Sequence, residues 1–375
     1  MKKRELPPLI AIAVILLGLS IASLVLPDRS FSDNENRYLQ QSPRLTVDRV
    51  LSGRFSDEAE KYESDQVALR DFWMGAASTI QWLTNKRDIG GVYLGKDGYL
   101  FARVTEEDFD QRQYEKNLRT VADFFDAHTD LDCRILLAPS PSTVLADQLP
   151  DGAPMYDAAP RYQQLTEVLG DRVVDVRQAL SEFPTYYRTD HHWTTWGAQI
   201  AYNAWCRATG RQEHWAELTL ATERNSFRGT LYSKVLLPGC AWDEIYFVPH
   251  PGVVSMDCDG TVTDSLYDFS KREEKDKYAL FQGGNWAKVT IDTRAENGRR
   301  LLVVKDSFAN CFVPFLTGEP YREVPGDFER IVMLDLRFYG DDLEELMAEE
   351  GITDVLVLYE LSNFAADNNL FKLNG

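Results

Sequence analysis

Cysteine and histidine are scarce in this chain of 375 residues, with five of each. No two cysteines form a C-x-x-C pair, which excludes a zinc ribbon and a thioredoxin-type motif. An odd number of cysteines also leaves at least one thiol unpaired. Cys240 and Cys258 flank a strand-rich segment, and a disulfide between them is possible in an oxidising compartment; Cys133 and Cys206 fit buried free thiols.

Positive charge is also limited, because 40 Lys and Arg face 59 Asp and Glu and give a net charge of −19. Phosphates would be repelled, so general nucleic-acid binding is excluded. Neither Gly-Gly pair lies in a G-x-x-x-x-G-K-[ST] or G-x-G-x-x-G pattern, so no phosphate loop is expected. Only one run is apolar enough to span a bilayer, which excludes a multi-pass transporter.

That apolar run extends from Leu9 to Leu26, after the cationic residues Lys2, Lys3 and Arg4. The charge distribution predicts a cytoplasmic N-terminus and an extracytoplasmic bulk, with residues 1–27 as a cytoplasmic tip and single transmembrane signal anchor. A cleaved signal peptide is the alternative. It is disfavoured because the small residues around Ala22 lie inside the apolar run.

The rest of the chain divides into two predicted parts. Residues 28–85 indicate a linker followed by one long amphipathic helix over 55–83, where apolar residues recur every three or four positions. Residues 86–375 show short Val/Leu-rich strands alternating with helices, which predicts an α/β domain whose parallel sheet is covered on both faces. Within it, residues 211–299 lose the rhythm and are interpreted as a strand-rich insertion. The predicted strands are 133–138, 172–176, 300–304, 330–334 and 354–358.

The densest cluster of chemically useful residues is Thr189-Asp190-His191-His192-Trp193. In an extended segment residues i and i+2 face the same way, so Asp190 and His192 can share one site. An adjacent carboxylate holds one imidazole tautomer and stabilises the protonated ring, which suits a general base. Two alternatives remain, a metal site using Asp190 with both histidines and a purely structural loop. Thr194 or Thr195 then caps the following helix.

A base of this kind needs a nucleophile, and Ser307 is the candidate. Lys305-Asp306-Ser307-Phe308 joins an apolar strand to a helix, where free backbone N–H groups favour a developing oxyanion. The alternative is that Ser307 or Asp306 only caps that helix. The rival serines are Ser140, Ser142 and Ser233.

These motifs resemble the DHHW family, relatives of the alginate O-acetyltransferases of the SGNH-hydrolase-like class. Asp190-His191-His192-Trp193 resembles the family signature. Further blocks that resemble it are Asn36-Arg37, Asp65 with Arg70, 91–101, 229–232 and 306–308. The resemblance implies an SGNH-like three-layer α/β/α fold with a catalytic triad of Asp190, His192 and Ser307, in a permuted order. Lys305 departs from the family pattern, because Gly precedes Asp-Ser there.

Two further site residues follow from the same comparison of motifs. Arg337 follows a predicted strand where the alginate enzymes carry a site arginine, and it is a candidate for binding an acyl oxygen or an anionic sugar. A surface ion pair with Asp335 or Glu329 is its alternative. Trp193 is a candidate substrate contact, since aromatic faces stack on sugar rings, although core packing explains such a residue equally well.

The resemblance implies an extracytoplasmic O-acetyltransferase that modifies a cell-surface or secreted polysaccharide through an acyl-enzyme. It also implies a membrane-bound O-acyltransferase partner that supplies acetyl groups, and no metal or organic cofactor. Two alternatives remain open, a carbohydrate esterase that uses the same triad and a non-catalytic glycan-binding scaffold that keeps only the fold.

Overall fold

The computed structural model describes residues 6–32, 34, 37–181 and 184–375, with side chains from residue 10 onward. Lys2, Lys3, Arg4 and the family-block residue Asn36 therefore lie outside the described residues. Contacts within the chain define two units. The N-terminal unit comprises residues 1–90 and 232–239, and the sheet unit comprises residues 91–231 and 240–375.

The N-terminal unit is mainly helical. Its helices are α1 (Leu6–Val25), α2 (Val47–Leu51), α3 (Arg54–Asp65) and α4 (Arg70–Leu83), and its short strands are β1 (Phe31–Ser32), β2 (Arg37–Tyr38) and β3 (Asp88–Ile89). The single long helix predicted over 55–83 is wrong. Leu69 adopts a left-handed conformation with φ of 59°, which an L-residue in a continuous helix cannot keep, so the helix breaks between α3 and α4.

The apolar run expected to form a membrane anchor is helical over α1. Among the residues that the structure describes, however, no helix combines the length and the apolarity that a bilayer crossing requires. The described side chains of α1 begin only at Ile10. The structure therefore does not support the predicted transmembrane helix.

The sheet unit contains the α/β rhythm. Its strands are β4 (Val92–Leu94), β5 (Leu100–Ala102), β6 (Asp132–Ala138), β7 (Thr219–Leu220), β8 (Tyr246–Phe247), β9 (Val253–Cys258), β10 (Thr261–Thr263), β11 (Lys288–Thr293), β12 (Arg300–Lys305), β13 (Arg330–Leu334) and β14 (Asp354–Glu360). Its helices are α5 (Gln111–Ala127), α6 (Pro141–Val144), α7 (Ala158–Leu169), α8 (Arg177–Leu180), α9 (Thr195–Ala208), α11 (Val313–Leu316), α12 (Leu343–Glu350) and α13 (Leu361–Ala366), while α10 (Thr230–Val235) includes the boundary of the two units.

The main sheet has the strand order β10-β9-β11-β13-β12-β14-β6. The four strands from β13 to β6 are parallel, whereas β9, β10 and β11 pair antiparallel. The strands predicted over 133–138, 300–304, 330–334 and 354–358 are parallel as expected, but antiparallel strands of the segment 211–299 extend the same sheet, which is therefore mixed rather than parallel. One antiparallel pair has a local cause, since Asp259 and Gly260 both have positive φ and form a two-residue hairpin turn between β9 and β10.

Both faces of the parallel part are buried. Alternate residues of each strand enter two separate apolar clusters, Val303 and Leu356 in one and Leu302 and Val355 in the other. Helices cover each cluster, so the parallel region has three layers. The strand predicted over 172–176 is wrong, because only Val173 bridges to the sheet, between a 3₁₀ turn and α8.

All five cysteines are free thiols, so the possible Cys240–Cys258 disulfide is not formed. Cys258 is buried at the end of β9, and burial raises the pKa of its thiol to about 11. The ends of the parallel strands matter more for function. The segments after β6, β12, β13 and β14 leave the same edge of the sheet, where open α/β folds place their chemistry.

Candidate active site

Ser307 lies directly after β12, at the start of a 3₁₀ helix over Ser307–Cys311. The helix is capped by Asp306, whose Oδ1 accepts a hydrogen bond from the backbone N–H of Phe308 at 2.8 Å. Its Oδ2 accepts from the backbone of Glu360 and the side chain of Asn363. Because Asp306 performs the capping, the Ser307 hydroxyl is left available for another partner.

That partner is His192, 115 residues earlier in the chain. The Nε2 atom of His192 lies 2.7 Å from the Oγ of Ser307. The other ring nitrogen, Nδ1, lies 2.6 Å from Oδ1 of Asp190, which also accepts the backbone N–H of His192 at 3.0 Å. Asp190 and His192 are buried while Ser307 is partly exposed. The three predicted triad residues thus form one hydrogen-bonded chain that ends at solvent.

Two neighbouring segments hold the Asp190 loop in this shape. Asp243 accepts the backbone N–H groups of Arg188 and Thr189, at 2.9 and 2.8 Å, and also the Thr189 hydroxyl. On the other side Gly229 lies so close that a Cβ there would be 2.1 Å from Oδ2 of Asp190. Only glycine therefore fits at position 229.

The second oxygen of Asp190 is satisfied by Thr230. Its Oδ2 accepts the backbone N–H of Thr230 at 2.7 Å and the hydroxyl at 3.0 Å. Burial alone would raise the pKa of Asp190, but His191 and His192 beside it hold that pKa well below its usual range. The carboxylate therefore stays ionised, and both of its oxygens are fixed toward named donors.

Aromatic rings fix the plane of the His192 imidazole. Tyr278 stacks on it with a centroid distance of 3.9 Å and an angle of 9°, and its hydroxyl donates to the backbone oxygen of Ser307 at 3.0 Å. Trp193 is fully buried, and its indole N–H donates to the backbone oxygen of Phe308 at 3.0 Å. Trp193 therefore packs beneath the nucleophile turn, and its burial corrects the expectation of a substrate-stacking surface.

Lys305, the departure from the family pattern, is accommodated inside the sheet unit. Its Nζ donates to Oδ1 of Asn310 at 2.7 Å and to Oδ1 of Asn285 at 3.3 Å. Burial lowers the pKa of Lys305 to about 8. The turn before Asp306 therefore holds a full side chain, directed away from the reacting atoms into an amide-lined pocket.

Arg337 is engaged with Asp335. Its Nε and Nη2 donate to the two carboxylate oxygens at 2.8 and 2.6 Å, and the ion pair raises the pKa of Arg337. The residue lines a small open depression of about 240 Å³ together with Asp306. No contact between Arg337 and Ser307 is among the described contacts, so its role at the acyl oxygen stays a prediction.

Among the described residues, the Asp190, His191 and His192 ligand atoms lie within 4.8 Å of one another, a spacing that a metal ion accepts. Both ring nitrogens of His192 already have partners in Asp190 and Ser307, and Nδ1 of His191 lies 2.7 Å from the Thr230 hydroxyl. The donors are therefore committed to hydrogen bonds, and a metal would have to break the chain to Ser307.

The rival serines lie elsewhere. The hydroxyl of Ser140 bonds to those of Ser142, Thr143 and Tyr156, a closed network without an imidazole. Ser233 is buried within the segment 232–239 of the N-terminal unit. Of the serines singled out from the sequence, Ser307 alone has a described hydrogen bond to a histidine.

Two protein-family models match parts of this chain that contain site residues. The model of the SGNH hydrolase-like domain of acetyltransferase AlgX matches residues 92–235, and that of the DHHW proteins matches residues 172–324. Both ranges include Asp190 and His192, and the second also includes Ser307. The resemblance to the DHHW family is confirmed.

Two curated proteins are also similar to this chain. A probable alginate O-acetylase AlgJ from Pseudomonas syringae pv. tomato is 25% identical over 166 residues, covering 40% of this chain and 42% of that protein. Its counterpart from Pseudomonas putida is 22% identical over 212 residues, covering 53% and 54%. The chain thus spans about half the length of these relatives.

Solved structures establish the fold. A DHHW family protein from Eubacterium siraeum has a TM-score of 0.59 at 20% identity, covering 76% of this chain and 96% of its own. PatB1 from Bacillus cereus has a TM-score of 0.60 at 24% identity, covering 74% and 97%. The chain therefore has a mixed α/β fold similar to those of these structures.

Sequence reasoning missed four supporting residues. Gly229 and Thr230 lie in a block already noted for its resemblance to the DHHW family, so a signal existed although no role was assigned. Asp243 and Tyr278 lie in the segment 211–299, where the loss of the α/β rhythm gave no indication that side chains return to the site.

Proposed function

We propose that this protein is an extracytoplasmic O-acetyltransferase that acts on a cell-surface or secreted polysaccharide through a Ser-His-Asp triad. The observation that carries the proposal is the hydrogen-bonded chain from Ser307 Oγ through both nitrogens of His192 to Asp190. The relation to probable alginate O-acetylases supports acetyl chemistry at the coarser level.

In the first half of the reaction, Ser307 Oγ attacks the carbonyl carbon of an acetyl donor. His192 Nε2 takes the hydroxyl proton, and Asp190 stabilises the imidazolium that forms. The oxyanion lies near the Ser307 backbone N–H, for which the described hydrogen bonds give no other acceptor. The tetrahedral intermediate expels the donor's leaving group, which receives the proton from His192 and leaves an acetyl ester on Ser307.

In the second half, a sugar hydroxyl replaces the leaving group. His192 removes its proton as the oxygen attacks the acetyl-serine, and the same proton returns to Ser307 Oγ when the product ester is released. Trp196 is 46% exposed at the start of α9, four residues after His192. Such a ring offers a stacking surface for an acceptor sugar.

Esterase activity is the second candidate, because the geometry that activates a sugar hydroxyl also activates water. The partial exposure of Ser307 favours it. Transfer requires the acceptor to exclude water from the acyl-enzyme. A non-catalytic glycan scaffold remains the third possibility, although an imidazole within hydrogen-bond distance of a partly exposed serine argues against it.

The location and partners proposed here follow from the sequence. The cationic start and apolar run of the chain support a membrane-attached protein with its site outside the cytoplasm, supplied with acetyl by a membrane-bound O-acyltransferase. We propose that no metal or organic cofactor takes part. Protease accessibility in intact cells and co-purification test the first two statements, and stoichiometric zinc in elemental analysis would contradict the third.

Intact-mass measurement tests the chemistry. The full chain is incubated with a chromogenic acetyl ester, alongside Ser307→Ala and the matched exposed-serine control Ser270→Ala. Transfer chemistry predicts one added acetyl group on the wild type and on Ser270→Ala but not on Ser307→Ala. A polysaccharide acceptor should then discharge the adduct faster than water does. Discharge at the same rate without acceptor identifies an esterase, and no adduct with retained glycan binding identifies a scaffold.

A further inference from the structure

Helix α4 carries its large apolar side chains on the outside. Leu69 at its N-cap, Phe72, Trp73, Ile80 and Leu83 are between 39% and 70% exposed. The last four lie three, four, eleven and fourteen residues after Leu69, which places them along one side of the helix. We call this set the α4 stripe.

The side of α4 that packs contains two small residues, whereas Trp82, seven residues after Gly75 on that side, is 44% exposed. Gly75 and Ser78 are the buried residues of the helix. A Cβ at Gly75 would lie 3.0 Å from the backbone oxygen of Leu236, in the same unit. A helix of a protein in water normally buries its apolar side. The exposure of the α4 stripe therefore indicates that another apolar surface covers it.

We propose that the α4 stripe contacts the surface of a lipid bilayer. Helix α1 is apolar on all sides, and Leu16, Leu17 and Leu24 are each more than half exposed. The Ser23 hydroxyl accepts the backbone N–H of Ala68 at 2.9 Å, which brings the end of α1 to the start of α4. A lipid surface can then contact both helices without either helix crossing it, whereas a second copy of the chain would need a matching surface for each.

The composition of the stripe fits the headgroup–acyl boundary. Trp and Phe prefer that depth, and a helix with one apolar face binds there without crossing the membrane. Lys86 and Arg87 follow the end of α4 and are exposed, so cations are available for anionic headgroups. This surface contact is independent of the proposed acetyl transfer.

Site-directed spin labelling in lipid nanodiscs tests the contact. The full chain, with its partly exposed Cys240 changed to serine, carries a nitroxide at Ile80→Cys on the stripe. The matched control carries it at Glu60→Cys, an exposed acidic position on α3. Collisions with lipid-soluble oxygen and with a water-soluble nickel chelate are measured for each label.

The proposal predicts that the Ile80 label collides more with oxygen than with nickel and that the Glu60 label shows the reverse. Greater nickel access at Ile80 overturns the proposal, because the stripe then faces water. Shielding of the Ile80 label from both reagents also overturns the proposal. Dipolar broadening of its spectrum would then identify a second copy of the chain as the partner, and a spectrum without broadening would identify a different protein. Unchanged acetyl-ester turnover in Ile80→Cys separates these outcomes from any failure of the proposed chemistry.

Discussion

The N-terminal unit and the sheet unit distribute polar and apolar groups in opposite ways. In the N-terminal unit, large apolar residues such as Leu51 and Phe72 are 82% and 62% exposed. In the sheet unit, the ionisable residues Asp190, Lys305 and Glu360 are almost fully buried. Each arrangement opposes stability in water. The two units therefore differ in what they expose: the N-terminal unit exposes large apolar side chains, and the sheet unit buries ionisable ones.

Among the changes to buried charged residues of the sheet unit, we expect substitution of Asp190 to have the largest effect on activity. We expect Asp190→Asn to lower acetyl-ester turnover by about 10⁴-fold, because the amide cannot hold the same imidazole tautomer or stabilise the protonated ring. Steady-state kinetics measure the effect, with circular dichroism as the check that the fold is retained. A loss below about tenfold, which is only ~1.4 kcal/mol, would contradict the role of Asp190.

A smaller effect is expected when the same carboxylate is displaced rather than removed. In Gly229→Ala the new methyl group overlaps Oδ2 of Asp190, and misplacement of a catalytic group on this scale costs about 10²-fold in rate. Gly340→Ala is the matched control, since a Cβ there meets no atom within 4 Å. Equal activity of the two variants would show that the loop tolerates movement.

Buried Glu360 in the sheet unit should make the stability of the protein depend on pH. Burial raises its pKa to about 7 from 4.5, and its Oε1 has no hydrogen-bond partner among the described residues. The folded chain therefore keeps a proton on Glu360 that the unfolded chain releases, so the stabilisation from Glu360 is fully present below pH 4.5 and is lost as pH rises through about 7. The loss above that window is about 3 kcal/mol.

The Gln side chain in Glu360→Gln cannot ionise. We therefore expect this variant to keep its free energy of unfolding over the pH range in which wild type loses it. Urea denaturation of both proteins across the window gives the comparison, with wild type losing stability relative to the variant as pH rises. Parallel pH profiles would mean that Glu360 titrates normally.

The smallest effect is expected in the N-terminal unit. Ile80→Ala should change the free energy of unfolding by no more than about 0.5 kcal/mol in the absence of lipid, because the side chain is exposed. Its counterpart in the sheet unit, Ile331→Ala, removes a fully buried side chain of β13 and should cost about 2–5 kcal/mol. A large loss in Ile80→Ala would show that the stripe is covered by the protein itself.

Much of the sheet unit could be predicted from the sequence. Strands β6, β12, β13 and β14 are continuous apolar runs, and such runs are typical of strands buried on both faces. Thr194 caps α9 as expected, accepting the backbone N–H of Gly197. The triad could be proposed because Asp190 and His192 lie two residues apart, because Ser307 follows a strand, and because the motifs resemble the DHHW family.

The remaining features depend on long-range contacts that local patterns do not contain. The break at Leu69 is a backbone conformation that its side chain does not prefer, so no turn signal marks it. The antiparallel strands β9 to β11 join the sheet through partners distant in sequence. Tyr278 reaches His192 only because its segment folds back over the nucleophile turn.

The 115-residue separation between His192 and Ser307 has a practical consequence. During synthesis the imidazole emerges long before the hydroxyl that it activates, and the strand bearing that hydroxyl needs β14, which emerges later still, as its neighbour in the sheet. A chain that lacks β14 is therefore not expected to bring Ser307 to His192. A serine-directed covalent inhibitor should accordingly label finished molecules alone, and the labelled fraction of a preparation would count its correctly assembled protein.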